Sequence, residues 1–182
     1  MKRLACLLMV LILCFAAAVS RAFEYNEAGE WYTVQLIDNL ATRSGPGTQY
    51  TGCGSYNIKG QNVTAISWAY DKGGVLWVEI IFDYKGASRR AWTGAKRLNI
   101  TSGQLQNMAY DEGSTFLGQG TVRYSTTPRF GPGVYYAPYD RTISAGTKAW
   151  VITYNDGFAQ IEFNWTNGEI FRCWIPEGDL DF

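Results

Sequence analysis

The stretch Ala41-Thr-Arg-Ser-Gly-Pro-Gly-Thr-Gln-Tyr50 decides the fold, and it recurs as Thr127-Pro-Arg-Phe-Gly-Pro-Gly-Val-Tyr-Tyr136. In both copies an Arg stands two residues before Gly-Pro-Gly and a Tyr stands three residues after it. Proline restricts its own φ, and the glycine that follows accepts a positive φ. Pro46-Gly47 and Pro132-Gly133 therefore suit the two central positions of a type II turn. Two copies at this spacing predict a tandem repeat of one small unit.

Short alternating segments surround each copy and predict an all-β protein. The predicted strands are residues 31–36, 62–68, 75–82 and 89–93 in the first half, and 120–124, 148–154, 158–163 and 169–175 in the second. Asn155-Asp-Gly157 is a strong hairpin signal. Residues 51–59 are predicted as an irregular loop. The pattern predicts two small, partly open β-barrels over residues 31–98 and 118–182, with residues 99–117 as a linker that contains a short helix over 102–110.

The first 22 residues have the features of a secretory signal peptide. Lys2 and Arg3 precede an apolar run, and Ser20 and Ala22 place small residues at a cleavage site. The alternative is an uncleaved N-terminal anchor. No later run is comparably apolar, so no membrane span is expected after cleavage. The sequence therefore predicts a secreted protein that could also be associated with a cell wall.

Charge and cysteine content restrict the classes of partner. The predicted leader contains Lys2, Arg3, Arg21 and no acid, so 13 basic residues remain against 16 acidic ones, a net charge of −3. Nucleic acid is not expected as a partner, because phosphate binding needs a basic surface. Cys53 and Cys173 lie one in each unit. They predict either a disulfide between the units or two buried thiols that pack as small apolar residues.

The repeated units resemble the bacterial SH3 (SH3b) domain family, on the following residues. Leu40-Ala-Thr-Arg-Ser-Gly-Pro-Gly-Thr-Gln-Tyr50 is similar to the family's opening motif. Leu76-Trp-Val-Glu-Ile80 and Ala91-Trp-Thr-Gly94 resemble its later strands, and the second unit matches at Arg129-Phe-Gly-Pro-Gly133 and Cys173-Trp-Ile175. The resemblance implies two tandem SH3-like barrels. It also implies binding of cell-wall peptidoglycan or of an extracellular peptide, as in several members of the family.

Catalysis and metal binding are not expected. The chain contains no histidine, which excludes nucleophile activation by a Ser-His or Cys-His pair and histidine-based zinc sites. The carboxylates that could form a glycosidase pair are Asp111-Glu112 and the acidic C-terminal residues Glu177, Asp179 and Asp181, and both groups are interpreted as solvated surface. The sequence predicts a non-enzyme with no cofactor and no metal.

Aromatic and arginine residues are the candidate ligand-binding groups. With 7 Trp and 12 Tyr, the chain is rich in aromatic residues. Tyrosines in predicted loops can stack on sugar rings or hold peptides if they expose one face, and the alternative is packing in the core. The candidates are Tyr50, Tyr56, Tyr70, Tyr135, Tyr136 and Tyr139. Arg43 and Arg129 either bind a carboxylate or brace the turn by donating to backbone carbonyls. Arg89 and Arg90 are predicted as solvated edge charges.

Two functions are consistent with these observations. In the first, the two units bind peptidoglycan or an extracellular peptide through loop aromatics. In the second, the units pack together as one composite surface for a protein partner. Exposed, matched aromatics would favour the first function. A buried interface that covers those aromatics would favour the second.

Overall fold

The computed structural model describes residues 29–113, 115–165 and 167–182. The predicted signal peptide therefore lies outside the described residues. The strands in chain order are β1 (Tyr32–Gln35), β2 (Leu40–Arg43), β3 (Gly52–Tyr56), β4 (Asn62–Tyr70), β5 (Leu76–Tyr84), β6 (Ala87–Gly94), β7 (Ala109–Tyr110), β8 (Gly118–Val122), β9 (Lys148–Asn155), β10 (Phe158–Asn164), β11 (Ile170–Pro176) and β12 (Leu180–Asp181). The helix α1 (Ser102–Asn107) and two 3₁₀ turns, Ala95–Arg97 and Glu177–Asp179, complete the described structure. The prediction of an all-β protein is confirmed.

The strands form two sheets. The first has seven strands in the order β1-β4-β5-β6-β2-β3, with β7 paired in parallel to β4. The second has five strands in the order β11-β10-β9-β8-β12. Neither sheet closes on itself, so the predicted barrels are not seen as closed barrels. We call β1–β7 the first unit and β8–β12 the second unit.

Turn chemistry explains why the long hairpins form. Asp156 and Gly157 join β9 to β10 with φ of 51° and 74°, and Lys85 and Gly86 join β5 to β6 with φ of 53° and 76°. Two consecutive positive φ values match the right-handed twist of the flanking strands. The prediction of a hairpin at Asn155-Asp-Gly157 is confirmed.

Two parts of the chain differ from the sequence prediction. Residues 51–59 were expected to be irregular, but β3 lies within them and pairs with β2 over four positions. The expected linker contains the predicted helix, whose Thr101 and Gln104 form a reciprocal capping box. The same segment adds β7 to the first sheet, so it is part of the first unit.

The repeat is visible as matching hydrogen bonds in the two units. Arg43 and Arg129 each donate from Nη1 to two backbone carbonyls of the turn that follows. Gly47 and Gly133 have φ of 134° and 141°, so each adopts the positive φ expected after proline. The hydrogen-bonded turn lies two residues further along than predicted, because Tyr50 N–H donates to the Gly47 carbonyl and Tyr136 N–H to the Gly133 carbonyl, each at 3.3 Å. Because equivalent residues make equivalent hydrogen bonds, the turn stretches of the two units are structural repeats of each other.

The two units share one hydrophobic core. A single cluster of buried side chains includes Val78 and Ile80 of β5 together with Ile161 of β10 and Phe171 of β11. Two isolated parallel bridges, Tyr50 to Ile170 and Ser88 to Tyr136, also join the units. Each bridge pairs the tyrosine after Gly-Pro-Gly with the edge of the other unit. The two bridges are equivalent, so the interface between the units resembles that of an isologous dimer, although both units belong to one chain.

Candidate functional site

Four of the six candidate tyrosines are buried, so the expectation that they expose a face is wrong for them. Tyr50, Tyr56, Tyr136 and Tyr139 are each less than 9% exposed. Tyr56 lies on β3 and donates its hydroxyl to the Cys53 carbonyl, 2.9 Å away. Their rings complete the core and the contact between the units. Since a buried ring cannot stack on a ligand, the tyrosines do not form matched binding faces on the two units.

The other two candidate tyrosines are exposed. Tyr70 is 54% exposed at the end of β4, where its ring contacts Trp68 edge-on. Tyr135 is 60% exposed in the second turn stretch. They belong to different positions in the repeat and do not face a common groove. Arg43 and Arg129 brace their turns, as one of the two alternatives predicted.

Tyr50 does not belong to an exposed loop site. Its side chain lies in a buried network of ion pairs and hydrogen bonds. Its hydroxyl donates to Glu162 Oε2 at 3.2 Å and accepts from Arg172 Nη2 at 3.2 Å. Arg172 also donates from Nε to Glu162 at 2.9 Å and from Nη1 to Asp111 at 2.9 Å. Burial raises the pKa of Tyr50 to about 12. The first unit thus inserts a neutral phenol into an ion pair of the second unit.

The corresponding ion pair in the first unit joins Glu79 to Arg90, with Nε and Oε1 2.8 Å apart. Ser67 donates a further bond to the Glu79 carboxylate at 2.9 Å. Arg90 is therefore buried and paired. Arg89 lies within 6 Å of the rings of Tyr56, Tyr84 and Phe130. The prediction that Arg89 and Arg90 are solvated edge charges is wrong, because both contribute to the contact between the units.

The acidic residue Asp111 also differs from its prediction. It was interpreted as solvated surface, but its carboxylate pairs with the buried guanidinium of Arg172. That contact ties the segment after β7 to the second unit. This contact is consistent with a structural role for Asp111.

Cys53 and Cys173 are free thiols, so no disulfide joins them. Cys173 is buried, and Cys53 is half-buried with its sulfur 3.5 Å from the Tyr139 hydroxyl. Burial raises the pKa of Cys53 to about 11 and that of Cys173 well above its usual range. Both thiols are therefore protonated at neutral pH. The alternative in which they pack as small apolar groups is the one that the structure has.

An open groove of about 900 Å³ lies on the first unit. One wall is formed by β2 and β3, and the other by the start of β5 and the 3₁₀ turn after β6. The lining residues are Ala41, Thr42, Arg43, Thr48, Gly52, Gly54, Ser55, Val75, Leu76, Trp77, Gly94, Ala95, Lys96 and Arg97. These include three cations and no acid. The groove therefore combines an apolar floor with a positive rim.

Trp77 and Val75 form the apolar part of this groove. Val75 is 53% exposed, while the Trp77 ring is buried against Trp92 and Ala69. The indole of Trp77 donates to Asp71 Oδ2 at 3.0 Å, which fixes the orientation of the ring. Asp71 Oδ1 accepts from the backbone of Gly73 and Val75, each at 2.9 Å. One carboxylate thus holds both the β4–β5 turn and the wall of the groove.

The cations come from both walls, with Lys96 and Arg97 in the 3₁₀ turn beside the start of β5 and Arg43 on β2. Arg97 Nη1 donates to Asp38 Oδ2 at 2.8 Å, and Lys96 is exposed beside it. Gly52 lines the groove without a side chain, and an added Cβ there would meet no atom within 4 Å. A ligand backbone can therefore approach this wall closely. Sequence reasoning missed the groove because its walls come from four separate segments of the chain. Asp71-Lys-Gly-Gly74 had indicated only the turn beside it.

Low pH should weaken the hydrogen bonds by which Asp71 holds the wall of the groove. Backbone donation from Val75, followed by donation from Trp77, holds the pKa of this carboxyl below its usual 3.8. A group with a lowered pKa in the folded state stabilises that state above its unfolded pKa, and the contribution disappears as the pH falls through the folded pKa. The indole N–H resonance of Trp77 should therefore stay constant from neutral pH to about pH 5 and shift below pH 4.

The variant Asp71→Asn provides the matched comparison. It should show at neutral pH the Trp77 indole shift that the unmodified protein shows only in acid. The indole resonance of Trp150, which lies on the second unit, serves as the internal control. A Trp77 resonance that responds neither to acid nor to the substitution would contradict this role of Asp71.

Comparisons with models of protein families, with curated proteins and with solved structures gave no match to this chain. Among the described residues, no helix has the length and apolar character needed to cross a bilayer. Within the same residues, no group of three or more Cys, Asp or Glu side chains is placed to hold a metal ion.

Proposed function

We propose that this protein is a secreted, non-enzymatic binding protein in which two SH3b-like units form one composite body. The groove of the first unit holds an extended peptide that carries a free carboxylate. The observation that supports this proposal is the groove itself, which combines apolar surface at Val75 and Leu76 with the cations Arg43, Lys96 and Arg97. The peptide comes from the cell wall or from an extracellular protein.

Each part of the groove suits one part of such a ligand. Val75 and Leu76 offer apolar surface to a side chain, and the buried Trp77 ring supports this part of the groove from beneath. The wall at Gly52 and Gly54 admits a peptide backbone. The positive rim complements a carboxylate, since hydrogen bonds between charged groups are stronger than those between neutral ones. Among the lining residues, none is an acid that would repel the ligand.

The shared core favours the composite-surface function over two independent sites. Tyr50 and Tyr136 occupy the contact between the units, so matched loop aromatics are not available for avidity. The carboxylates of Glu79, Glu162 and Asp111 are held in ion pairs with arginine. These pairings support a binding role without catalysis.

The test measures binding of short apolar peptides by calorimetry, each with a free C-terminal carboxylate and in an amidated form. The free form should bind about tenfold more tightly, as expected for one charge-assisted hydrogen bond. Gly52→Leu should block the groove, and Lys96→Glu should remove the preference for the free carboxylate. Val134→Asp, at a residue that is 77% exposed outside the groove, should leave binding unchanged.

A parallel pull-down on purified peptidoglycan sacculi distinguishes the two sources of peptide. If the sacculi retain the protein at moderate salt and Gly52→Leu abolishes this retention, the peptide belongs to the cell wall. Peptide binding without retention on sacculi would place it in an extracellular protein. Binding to neither, or binding that Gly52→Leu leaves intact, would reject the groove as the site.

A further inference from the structure

A second cleft lies on the second unit and shares no lining residue with the peptide groove. Its volume is about 380 Å³. Strands β8, β9 and β10 form its floor, and the segment before β8 forms one side. The lining residues are Phe116, Gln119, Lys148, Trp150, Glu162, Phe163, Asn164 and Ile170. Its volume is at the lower end of the range for small-ligand sites.

An aromatic platform lies at the centre of this cleft. Trp150 and Phe116 stack with ring centroids 5.3 Å apart and planes inclined by 30°. The side chains are 45% and 37% exposed, so the platform faces solvent. Trp150 projects from the outer face of β9, where neighbouring Ala149 and Val151 point into the core. The indole is therefore not needed to fill the core of the second unit.

Strand register surrounds this platform with polar side chains. Gln119 of β8 and Glu162 of β10 are the direct partners of Trp150 on either side. Side chains of directly paired residues lie on the same face of a sheet. Lys148 lies two residues before Trp150 on β9, and Asn164 lies two residues after Glu162 on β10, so both side chains share that face. The pairing of the three strands thus places two amides, a carboxylate and an amine around one aromatic ring.

The carboxylate in the cleft is held in place. Glu162 Oε2 accepts from Arg172 Nε at 2.9 Å and from the Tyr50 hydroxyl at 3.2 Å. Its position therefore depends on the contact between the units and not on rotation in solvent. A fixed acceptor loses little entropy when a ligand binds.

We propose that this cleft binds a neutral saccharide, with one sugar ring lying on Trp150. The apolar C–H face of a sugar ring packs on an aromatic plane. Its hydroxyls donate to amide carbonyl and carboxylate oxygens and accept from amide and ammonium N–H groups. A purely apolar ligand would leave the polar groups of Gln119 and Asn164 without partners, which is unfavourable. One amine and one carboxylate together do not favour a charged ligand. The site is separate from the peptide groove and does not depend on it.

The experiment titrates the folded protein with three soluble tetrasaccharides, those of β-1,4-linked N-acetylglucosamine, β-1,4-linked glucose and α-1,4-linked glucose. Binding is followed by chemical shifts of the indole and side-chain amide resonances. At least one sugar should shift the resonances of Trp150, Gln119 and Asn164. Trp150→Ala should weaken its binding about tenfold, and Trp150→Phe should retain most of the affinity.

Matched controls separate this site from other exposed aromatics and from the groove. Tyr135→Ala removes an exposed ring of the second unit outside the cleft, and Gly52→Leu blocks the peptide groove. Neither should change sugar binding. If none of the three sugars shifts the cleft resonances, or if Trp150→Ala binds as tightly as the unmodified protein, the proposal is overturned whatever the peptide titration shows.

Discussion

Replacing Arg172 by methionine is expected to lower the free energy of unfolding by about 3–5 kcal/mol. The guanidinium is buried and bonds to Glu162, Asp111 and the Tyr50 hydroxyl. Its removal leaves the Glu162 carboxylate buried with no cation opposite it, which is the costly half of a broken ion pair. Urea denaturation followed by far-ultraviolet circular dichroism measures the change.

A surface pair provides the matched control. Arg123 bonds to Asp181, and both side chains are about half exposed. Because water screens such a pair, Arg123→Met should leave the free energy of unfolding nearly unchanged. The double variant Glu162→Met with Arg172→Met should recover much of the stability, since apolar side chains of similar size can replace a buried pair. A double variant no more stable than Arg172→Met would show that the loss has another cause.

Replacing Gly45 by alanine should lower the free energy of unfolding by about 1–3 kcal/mol, the usual range for overpacking. An added Cβ would lie 2.3 Å from the Tyr50 ring, and the same change at Gly131 would bring a Cβ within 2.5 Å of the Tyr136 ring. Neither ring can move aside easily, because both are buried in the contact between the units. Thermal unfolding of the two variants measures the loss.

Gly103→Ala is the matched control for both glycine changes. Gly103 lies in α1, and a Cβ there meets no atom within 4 Å. Alanine should therefore leave the stability unchanged or raise it by up to about 1 kcal/mol, because it favours the helix. Combining Gly45→Ala with Tyr50→Ala should cost less than the sum of the single changes, since the ring that the new methyl meets is gone. Additive losses would contradict the steric explanation.

Local chemistry made much of the fold predictable. Strand-like runs bounded by turn residues located β4, β5, β9 and β10, and the turn after Asn155 fixed a hairpin. The short strands β2, β3, β7 and β12 were not predicted. The sequence of β3, Gly-Cys-Gly-Ser-Tyr, has little strand propensity. Pairing with β2 determines its conformation, and Gly54 adopts a φ of 124° within it. Local sequence does not reveal such a strand because its partner decides it.

The exposure and contacts of side chains were less predictable than the conformation of the backbone. A tyrosine three residues after Gly-Pro-Gly looks the same whether it meets solvent or a second unit. Asp111 looked solvated because its partner Arg172 stands 61 residues further along the chain. The braces from Arg43 and Arg129 were foreseen, since they join residues five to seven positions apart. Contacts between the units depend on distances that no local pattern encodes.

The contact between Tyr50 and Arg172 also sets an order of events during synthesis. The two residues are 122 positions apart in the chain. Units generally fold as they emerge from the ribosome, and contacts distant in sequence form slowly. The first unit therefore emerges with its side of the interface uncovered until β10 and β11 have been released. A product truncated before β11 would display that same half-interface to any neighbour, including a second truncated copy.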